Sequence, residues 1–122
     1  MQLVPDLDGR TALVTGSAQR VGRELLLTLA AAGADVAVHY NTSADAAETT
    51  AADAREYGVD ATTVSGDITD PTAVDTMFDS IETELGTVDI LVNNVGNFDA
   101  RHWENIEWDA WRDTVESTFY GT

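Results

Sequence analysis

The chain of 122 residues contains no cysteine, no lysine and only two prolines. Without cysteine it can form neither disulfides nor thiolate metal sites. Its apolar runs all fall well short of the roughly 20 residues needed to cross a bilayer. The opening residues, MQLVPDLDG, lack the basic start and the apolar stretch of a signal peptide. These absences predict a cytoplasmic protein that does not associate with membranes, with a single core because the chain is short.

Positive charge is the other scarce property. The sequence has 22 acidic residues against six basic ones, all of them arginines, and a formal net charge of −16. The acidic residues are spread along the whole chain, so they repel one another at low ionic strength and are screened by dense counterions. This composition is typical of the cytoplasm of a halophile and resembles haloarchaeal proteins; the alternative is an ordinary solvated acidic face. Nucleic acids are disfavoured partners because they bind clustered lysine and arginine.

Short apolar runs alternate with longer helical stretches along the sequence. The predicted strands are Thr11–Val14, Asp35–His39, Ala61–Val64 and Val88–Val92. The predicted helices run from about Arg20 to Ala32, from Ser43 to Tyr57 and from Pro71 to about Leu85. Gly33 and Gly58 are suited to helix C-termini, and Ser43 and Asp70 are suited to N-caps.

This alternation predicts the α/β class. Parallel strands with near-continuous apolar sequence are covered by helices on both faces, and right-handed connections give half of a doubly wound Rossmann sheet, with strand order 3-2-1-4. No repeat or linker divides the sequence, so residues 1–122 are predicted to form one domain of this Rossmann type. The last predicted helix, after the segment from Trp103 to Trp111, runs to Thr122 without a stop signal. We therefore expect the natural protein to continue beyond this sequence.

The strongest functional signal is the run VTGSAQRVG, residues 14–22, between the first strand and the first helix. Gly16 allows a tight turn whose backbone can approach a pyrophosphate, and the helix N-terminus supplies free N–H groups and a positive dipole end. Gly22 allows the helix to pack close to the sheet. The strand–turn–helix context that a dinucleotide-binding fingerprint requires is therefore present.

With this motif the sequence resembles the short-chain dehydrogenase/reductase family over essentially its whole length. The family pattern is TGxxxGxG, and Arg20 replaces its middle glycine; this TGxxxRxG form is similar to pteridine reductases and to relatives of 3-oxoacyl-carrier-protein reductases. Three further segments match in the family's order. LDGR at residues 7–10 resembles LxGK, GDIT at 66–69 follows the third strand, and NNVG at 93–96 resembles NNAG.

The resemblance implies a dinucleotide site in which Arg20 pairs with the phosphates and Asp67 contacts the adenine ring. Alternatively, Arg20 is a surface arginine, Asp67 only caps a turn, and Asn93 and Asn94 only tie the central strands together. The predicted cofactor-binding residues are Thr15, Gly16, Ser17, Gln19, Arg20, Val21, Gly22, His39, Tyr40, Asn41, Thr42, Ser43, Asp67, Ile68, Asn93, Asn94, Val95 and Gly96.

The end of the second strand indicates which dinucleotide is bound. NAD sites place an acidic residue there to hold the ribose hydroxyls, but residues 39–43 include none. Asn41, Thr42 and Ser43 can donate hydrogen bonds to a 2′-phosphate, although similar NADP enzymes usually carry arginine where Asn41 stands. NADP(H) is therefore favoured over NAD(H). The alternative is that His39 packs its ring against the sheet and Ser43 only caps the helix.

For chemistry, the resemblance implies hydride transfer between a nicotinamide and a carbonyl or alcohol, with a YxxxK pair as acid/base. Free tyrosine titrates near pH 10, so it needs a neighbouring cation to act near neutrality. A chain without lysine cannot contain this pair. Thr118 aligns with the asparagine of the family's proton relay, or is an ordinary helix residue. His102 is interpreted as a packing or surface residue, and no metal site is predicted.

Two functions remain open from the sequence. The parent protein is an NADP-dependent short-chain dehydrogenase/reductase whose catalytic residues lie outside these 122, so that this chain alone is inactive. Such an enzyme would act on a small carbonyl or alcohol substrate and form a homodimer or homotetramer. Alternatively, the chain is a non-catalytic fragment that binds a dinucleotide or pairs with another subunit.

Overall fold

A computed structural model of the chain describes residues 6–94. In chain order the elements are β1 (Thr11–Val14), α1 (Arg20–Ala31), β2 (Asp35–Tyr40), α2 (Ala44–Arg55), β3 (Ala61–Ser65), α3 (Pro71–Glu84) and β4 (Ile90–Val92). The four strands form one parallel sheet in the order β3-β2-β1-β4. The predicted α/β class, parallel sheet and strand order are confirmed.

The element boundaries lie within about two residues of those predicted. β4 begins at Ile90 instead of Val88, because Asp89 is engaged with the start of β1: its N–H donates to the Thr11 carbonyl, and its carboxylate accepts from the Thr11 N–H. α2 ends at Arg55 instead of Tyr57, where a turn takes over and the Gly58 N–H donates to the Arg55 carbonyl.

One of the two predicted N-caps differs from expectation. Asp70 caps α3 through a hydrogen bond that its carboxylate accepts from the Thr72 N–H at 3.0 Å. Ser43 occupies the N-cap position of α2, but its side chain accepts no hydrogen bond from the helix. The ψ angle of Ser43, 62°, departs from the extended backbone that a capping serine needs. Asp45 in the first turn instead complements the helix dipole.

Two apolar cores lie on opposite faces of the sheet. On one face, α1 and α2 cover Ala12, Val14, Val36 and Val38; on the other, α3 covers Leu13, Ala37 and Val64. The buried face of α2 consists of Ala47, Thr50, Ala51 and Ala54. Because these side chains are small, α2 packs close to the sheet and brings the single hydroxyl among them, that of Thr50, near the turn that follows β1.

β4 forms one edge of the described sheet, and Leu91 is 48% exposed there. Within residues 6–94, no helix combines the length and the apolar character that a membrane crossing requires.

Candidate functional site

A cavity of about 470 Å³ opens at the carboxyl ends of all four strands. Its walls come from the segments that follow β1, β2, β3 and β4, together with the first turn of α1. A smaller cavity of about 170 Å³ shares four of its lining residues, Gly16, Gln19, His39 and Asn41, and extends along the end of β2. The two cavities together form one elongated groove across the end of the sheet.

Most of the predicted site residues within the described region line one of these cavities. They are Gly16, Gln19, Arg20, Val21, Gly22, His39, Tyr40, Asn41, Thr42, Ser43, Asp67, Ile68 and Asn94. Thr15, Ser17 and Asn93 do not line either cavity; the first two are buried and Asn93 is exposed. Ala18, Gly66 and Thr69 line the groove without having been predicted. Val95, Gly96, His102 and Thr118 lie outside the described residues.

The segment between β1 and α1, residues 15–19, is here called the glycine turn. Its second residue, Gly16, has a φ of 64°, a left-handed conformation that suits glycine. Ser17 continues the pairing of β1 with β2: its N–H donates to the His39 carbonyl, and its hydroxyl accepts from the His39 N–H. Ser17 is therefore buried as a support of the turn and does not face the groove.

Gly22 brings the first turn of α1 against the glycine turn. A Cβ atom at Gly22 would collide with the backbone carbonyl of Gly16 and with the side-chain amide of Asn94. Gly22 therefore has to lack a side chain, as expected. The groups that approach it closely are the glycine turn and Asn94, whereas the sequence had suggested the sheet. The first N–H groups of α1 have no partner within the helix and are available at the groove.

A polar network from α1 and α2 holds the far end of the glycine turn. The hydroxyl of Thr50 donates to the Ala18 carbonyl at 2.9 Å. The guanidinium of Arg23 donates to the same hydroxyl at 3.0 Å and forms an ion pair with Asp53 at 2.5 Å. Thr50 is fully buried, so these bonds replace the solvent that the Ala18 carbonyl has lost. No motif in the sequence indicated this network.

Asn94 ties the end of β4 to the same turn. Its backbone N–H donates to the Thr15 hydroxyl at 2.9 Å, and its side-chain amide donates to the Gly16 carbonyl at 3.4 Å. The Thr15 N–H in turn donates to the Val92 carbonyl at 3.0 Å. Asn94 therefore does connect the central strands, and it also lines the larger cavity.

The segment between β3 and α3, residues 66–70, is here called the aspartate loop. One carboxylate oxygen of Asp67 accepts hydrogen bonds from the Thr69 N–H at 2.9 Å and from the Thr69 hydroxyl at 2.6 Å. These two bonds lower the pKa of Asp67 below its ordinary value. Asp67 thus caps a turn and also lines the cavity, where it is the acidic side chain.

The imidazole of His39 joins the two loops. Its Nδ1 accepts a hydrogen bond from the Gly16 N–H at 2.9 Å, so its Nε2 carries the proton and donates to the Gly66 carbonyl at 2.9 Å. Burial lowers the pKa of His39, and the smaller effect of the Gly66 carbonyl opposes it. The ring therefore bridges the glycine turn and the aspartate loop as a neutral group, and does not simply pack against the sheet.

Arg20 is the cationic side chain of the groove and has an unusual backbone. Its φ of 57° makes it the single non-glycine residue with a positive φ among residues 6–94. A left-handed conformation costs a residue with a Cβ about 1–2 kcal/mol. Arg20 stands where the resembling family has glycine, so the sequence pattern and the backbone geometry agree on this position.

The sequence is similar to a known protein family and to several of its members. The family described as short chain dehydrogenase matches residues 10–122. A short-chain type dehydrogenase/reductase of Picea abies is 35% identical over 84% of this chain and 42% of its own length. The 3-oxoacyl-[acyl-carrier-protein] reductase FabG of Staphylococcus aureus (strain Mu50) is 30% identical over 92% of this chain and 46% of its own length.

Solved structures show the same relationship. A short-chain type dehydrogenase/reductase from Mycobacterium marinum superimposes with a TM-score of 0.87 and 32% identity, covering 95% of this chain and 47% of that one. A short chain dehydrogenase from Burkholderia cenocepacia J2315, in complex with NADP, gives a TM-score of 0.86 and 35% identity, covering 95% and 47%. The chain belongs to the short-chain dehydrogenase family of oxidoreductases, and it spans less than half the length of these relatives.

Proposed function

We propose that this chain is the NADP(H)-binding half of an oxidoreductase that transfers hydride between a nicotinamide and a small carbonyl or alcohol substrate. The observation that carries the proposal is the groove into which the carboxyl ends of all four strands open. Parallel α/β sheets bind their ligands at this end. The complex of the Burkholderia cenocepacia relative with NADP supports the choice of ligand.

The donors in the groove fit a dinucleotide diphosphate. The N–H groups of the first turn of α1 and the guanidinium of Arg20 border the larger cavity together. Backbone N–H groups at a helix N-terminus and a guanidinium both favour phosphate oxygens. The collision that a side chain at Gly22 would cause shows how closely backbone surrounds this part of the groove.

The end of β2 supports NADP(H) over NAD(H). The smaller cavity is lined there by Tyr40, Asn41, Thr42 and Ser43, and none of its lining residues within the described range 6–94 is acidic. A carboxylate at this point would repel a 2′-phosphate. The amide and hydroxyl groups can instead donate to the phosphate. Asp67, the acidic side chain of the larger cavity among residues 6–94, follows β3, and we propose that it contacts the adenine ring, as the family resemblance implies.

When bound, the nicotinamide supplies the hydride chemistry. The residues of this chain bind the dinucleotide and orient it, since a tyrosine–lysine pair has to come from residues outside these 122. A second candidate function follows from this missing lysine: dinucleotide binding without catalysis. Turnover of carbonyl substrates by the parent protein, alongside binding by this chain, distinguishes the enzyme from the binding module.

Calorimetric titration of the chain with NADPH and with NADH, in molar KCl to screen the acidic surface, tests the proposal. We expect saturable binding with the tighter affinity for NADPH. Replacing Arg20 by glutamine removes the cation and should weaken NADPH binding by about tenfold or more, as expected for a lost charge-assisted hydrogen bond.

The matched variant is Arg20→Gly, which also lacks the cation but relieves the positive φ. It should bind NADPH as weakly as Arg20→Gln does. Its free energy of unfolding should be about 1 kcal/mol higher than that of Arg20→Gln, because the strain is relieved. No binding of either dinucleotide by the wild-type chain, or equal affinity for NADPH in Arg20→Gln, would contradict the proposal.

A further inference from the structure

His39 lies between the glycine turn and the aspartate loop, which both line the groove. It lines both cavities, and its ring makes one hydrogen bond to each loop, from the Gly16 N–H and to the Gly66 carbonyl. We propose that His39 is a positioning residue that fixes the separation of the glycine turn and the aspartate loop, and that protonating its ring loosens the groove. The inference rests on the proposed function, because the groove is taken to be the dinucleotide site.

The main chain of His39 leaves the ring little freedom to change partners. Its N–H donates to the Ser17 hydroxyl at 3.1 Å, and its carbonyl accepts from the Ser17 N–H at 3.0 Å. With the backbone held on both sides and 2% of the residue exposed, the ring is fixed between the loops. A movement of either loop would therefore break one of the two ring hydrogen bonds.

The bridge requires a neutral ring. An imidazolium would carry a proton on both nitrogens, so its Nδ1–H would face the Gly16 N–H, and that bond would become a repulsion between two donors. The charged and titratable side chains that share a cavity with His39 are Arg20, Asp67 and Tyr40. Arg20 opposes protonation and Asp67 favours it. From β3, the neighbour in register is Val64, which carries no charge.

The direction of the pH effect follows from burial. Because burial lowers the pKa of His39 in the folded chain, the folded state binds this proton less readily than the unfolded state does. The contribution of the bridge is present above about pH 6.5, the ordinary value for histidine, and is lost as the pH falls below it. Dinucleotide binding involves the folded chain alone, so the affinity should fall as the pH approaches the lowered pKa of His39, below about 6.5.

Two amide substitutions separate the two hydrogen bonds. In His39→Asn, the side-chain oxygen takes the place of Nδ1 and can accept from the Gly16 N–H; in His39→Gln, the side-chain nitrogen takes the place of Nε2 and can donate to the Gly66 carbonyl. Each variant should bind NADPH about fivefold to tenfold more weakly than wild type at about pH 7.5, as expected for one lost hydrogen bond. His39→Leu, which keeps neither bond, should be the weakest binder of the three.

The pH profile is the readout that a merely structural role would not give. As the pH falls from about 7.5 to below the lowered pKa of His39, the affinity of the wild type for NADPH should fall more than the affinities of the two amide variants, which change only through the titration of the ligand's own 2′-phosphate at about pH 6. His102 is the other histidine of the chain. The variant His102→Gln is therefore the control, and it should keep the wild-type pH dependence.

Nitrogen NMR of the cofactor-free wild-type chain tests the bridge without any dinucleotide. We expect an unprotonated Nδ1 at His39 near neutrality and a scalar coupling across the hydrogen bond to the Gly16 amide. A protonated Nδ1 overturns the inference even if every variant fails to fold. So do amide variants with wild-type affinity and pH profile. If the wild type shows the bridge but binds no dinucleotide, the proposed function fails while the structural part of the inference stands.

Discussion

The two loops that meet at His39 are fixed in opposite ways. In the aspartate loop the side chain of Asp67 bonds to Thr69, and its carbonyl accepts from the Asp70 N–H, all within three residues. In the glycine turn the partners are distant: His39 bonds Gly16 from 23 positions away, Thr50 bonds Ala18 from 32, and Asn94 bonds Gly16 from 78. Apart from Gly66, which is bonded to His39 and Tyr40, the aspartate loop carries its own support, whereas the glycine turn takes its support from the rest of the fold.

This difference has a physical origin. Aspartate and threonine can bond the backbone two residues away, so a short segment containing them forms its turn locally. Glycine has no side chain with which to do so and gains only conformational freedom. A backbone that must leave room for a diphosphate therefore has to be held by groups on other elements. Variants that remove distant partners should consequently harm the chain more than variants of the aspartate loop.

The largest effect is expected from Gly22→Ala. The new Cβ would meet the Gly16 carbonyl and the Asn94 side chain, and the backbone carbonyl cannot move away without shifting the turn. We expect a loss of about 2 kcal/mol in the free energy of unfolding, because overpacking outweighs the gain in helix propensity. Urea denaturation measures this loss. Thr28→Ala, on the exposed face of the same helix, should stay within about 0.5 kcal/mol of wild type. Equal stability of the two variants would show that the glycine turn is not closely held.

A smaller effect is expected from Thr50→Val, which keeps the shape of the side chain and removes its hydroxyl. The Ala18 carbonyl then loses its partner in a buried position, at a cost of about 1 kcal/mol. The control is Thr49→Val on the same helix, where the exposed hydroxyl only donates to the Asp45 carbonyl and its loss should cost less than about 0.5 kcal/mol. Thermal unfolding and NADPH titration of both variants make the comparison. A Thr49 variant as damaging as the Thr50 variant would refute it.

The smallest effect is expected from Asp67→Asn. The amide oxygen can still accept from the Thr69 N–H, so the loop should keep its turn and the stability at neutral pH should change by less than about 0.5 kcal/mol. Because Thr69 lowers the pKa of Asp67, its carboxylate stabilises the folded chain above about pH 4 and loses this contribution on further acidification. The free energy of unfolding of the variant, measured as a function of pH, should lack the small decrease below about pH 4 that the Asp67 carboxylate gives the wild type. If the variant unfolds at neutral pH, the loop is not self-supporting.

The same contrast explains which features were predictable. The fold followed from apolar strands alternating with helices, and Asp70 was recognised as a cap because Thr72, its partner, lies two residues away. Ser43 is also a residue type that caps helices, but its backbone angles do not allow its side chain to accept a hydrogen bond from the helix. Most of the cavity-lining residues were predicted from the resemblance to the family's motifs, whereas Ala18, Gly66 and Thr69 were not. The bridge at His39 and the support by Thr50 gave no sequence signal, since their partners are remote in the chain.

By itself, therefore, the sequence determined the strand order, the family and the end of the sheet where the groove opens. These depend on apolar periodicity and on short motifs, which act over a few residues. Only the tertiary structure decided how the glycine turn is held and that the ring of His39 is neutral. Both depend on backbone groups of distant segments being brought within hydrogen-bond distance, away from water. Hydrogen bonds of that kind become strong and specific only after packing has excluded the solvent that would compete for them.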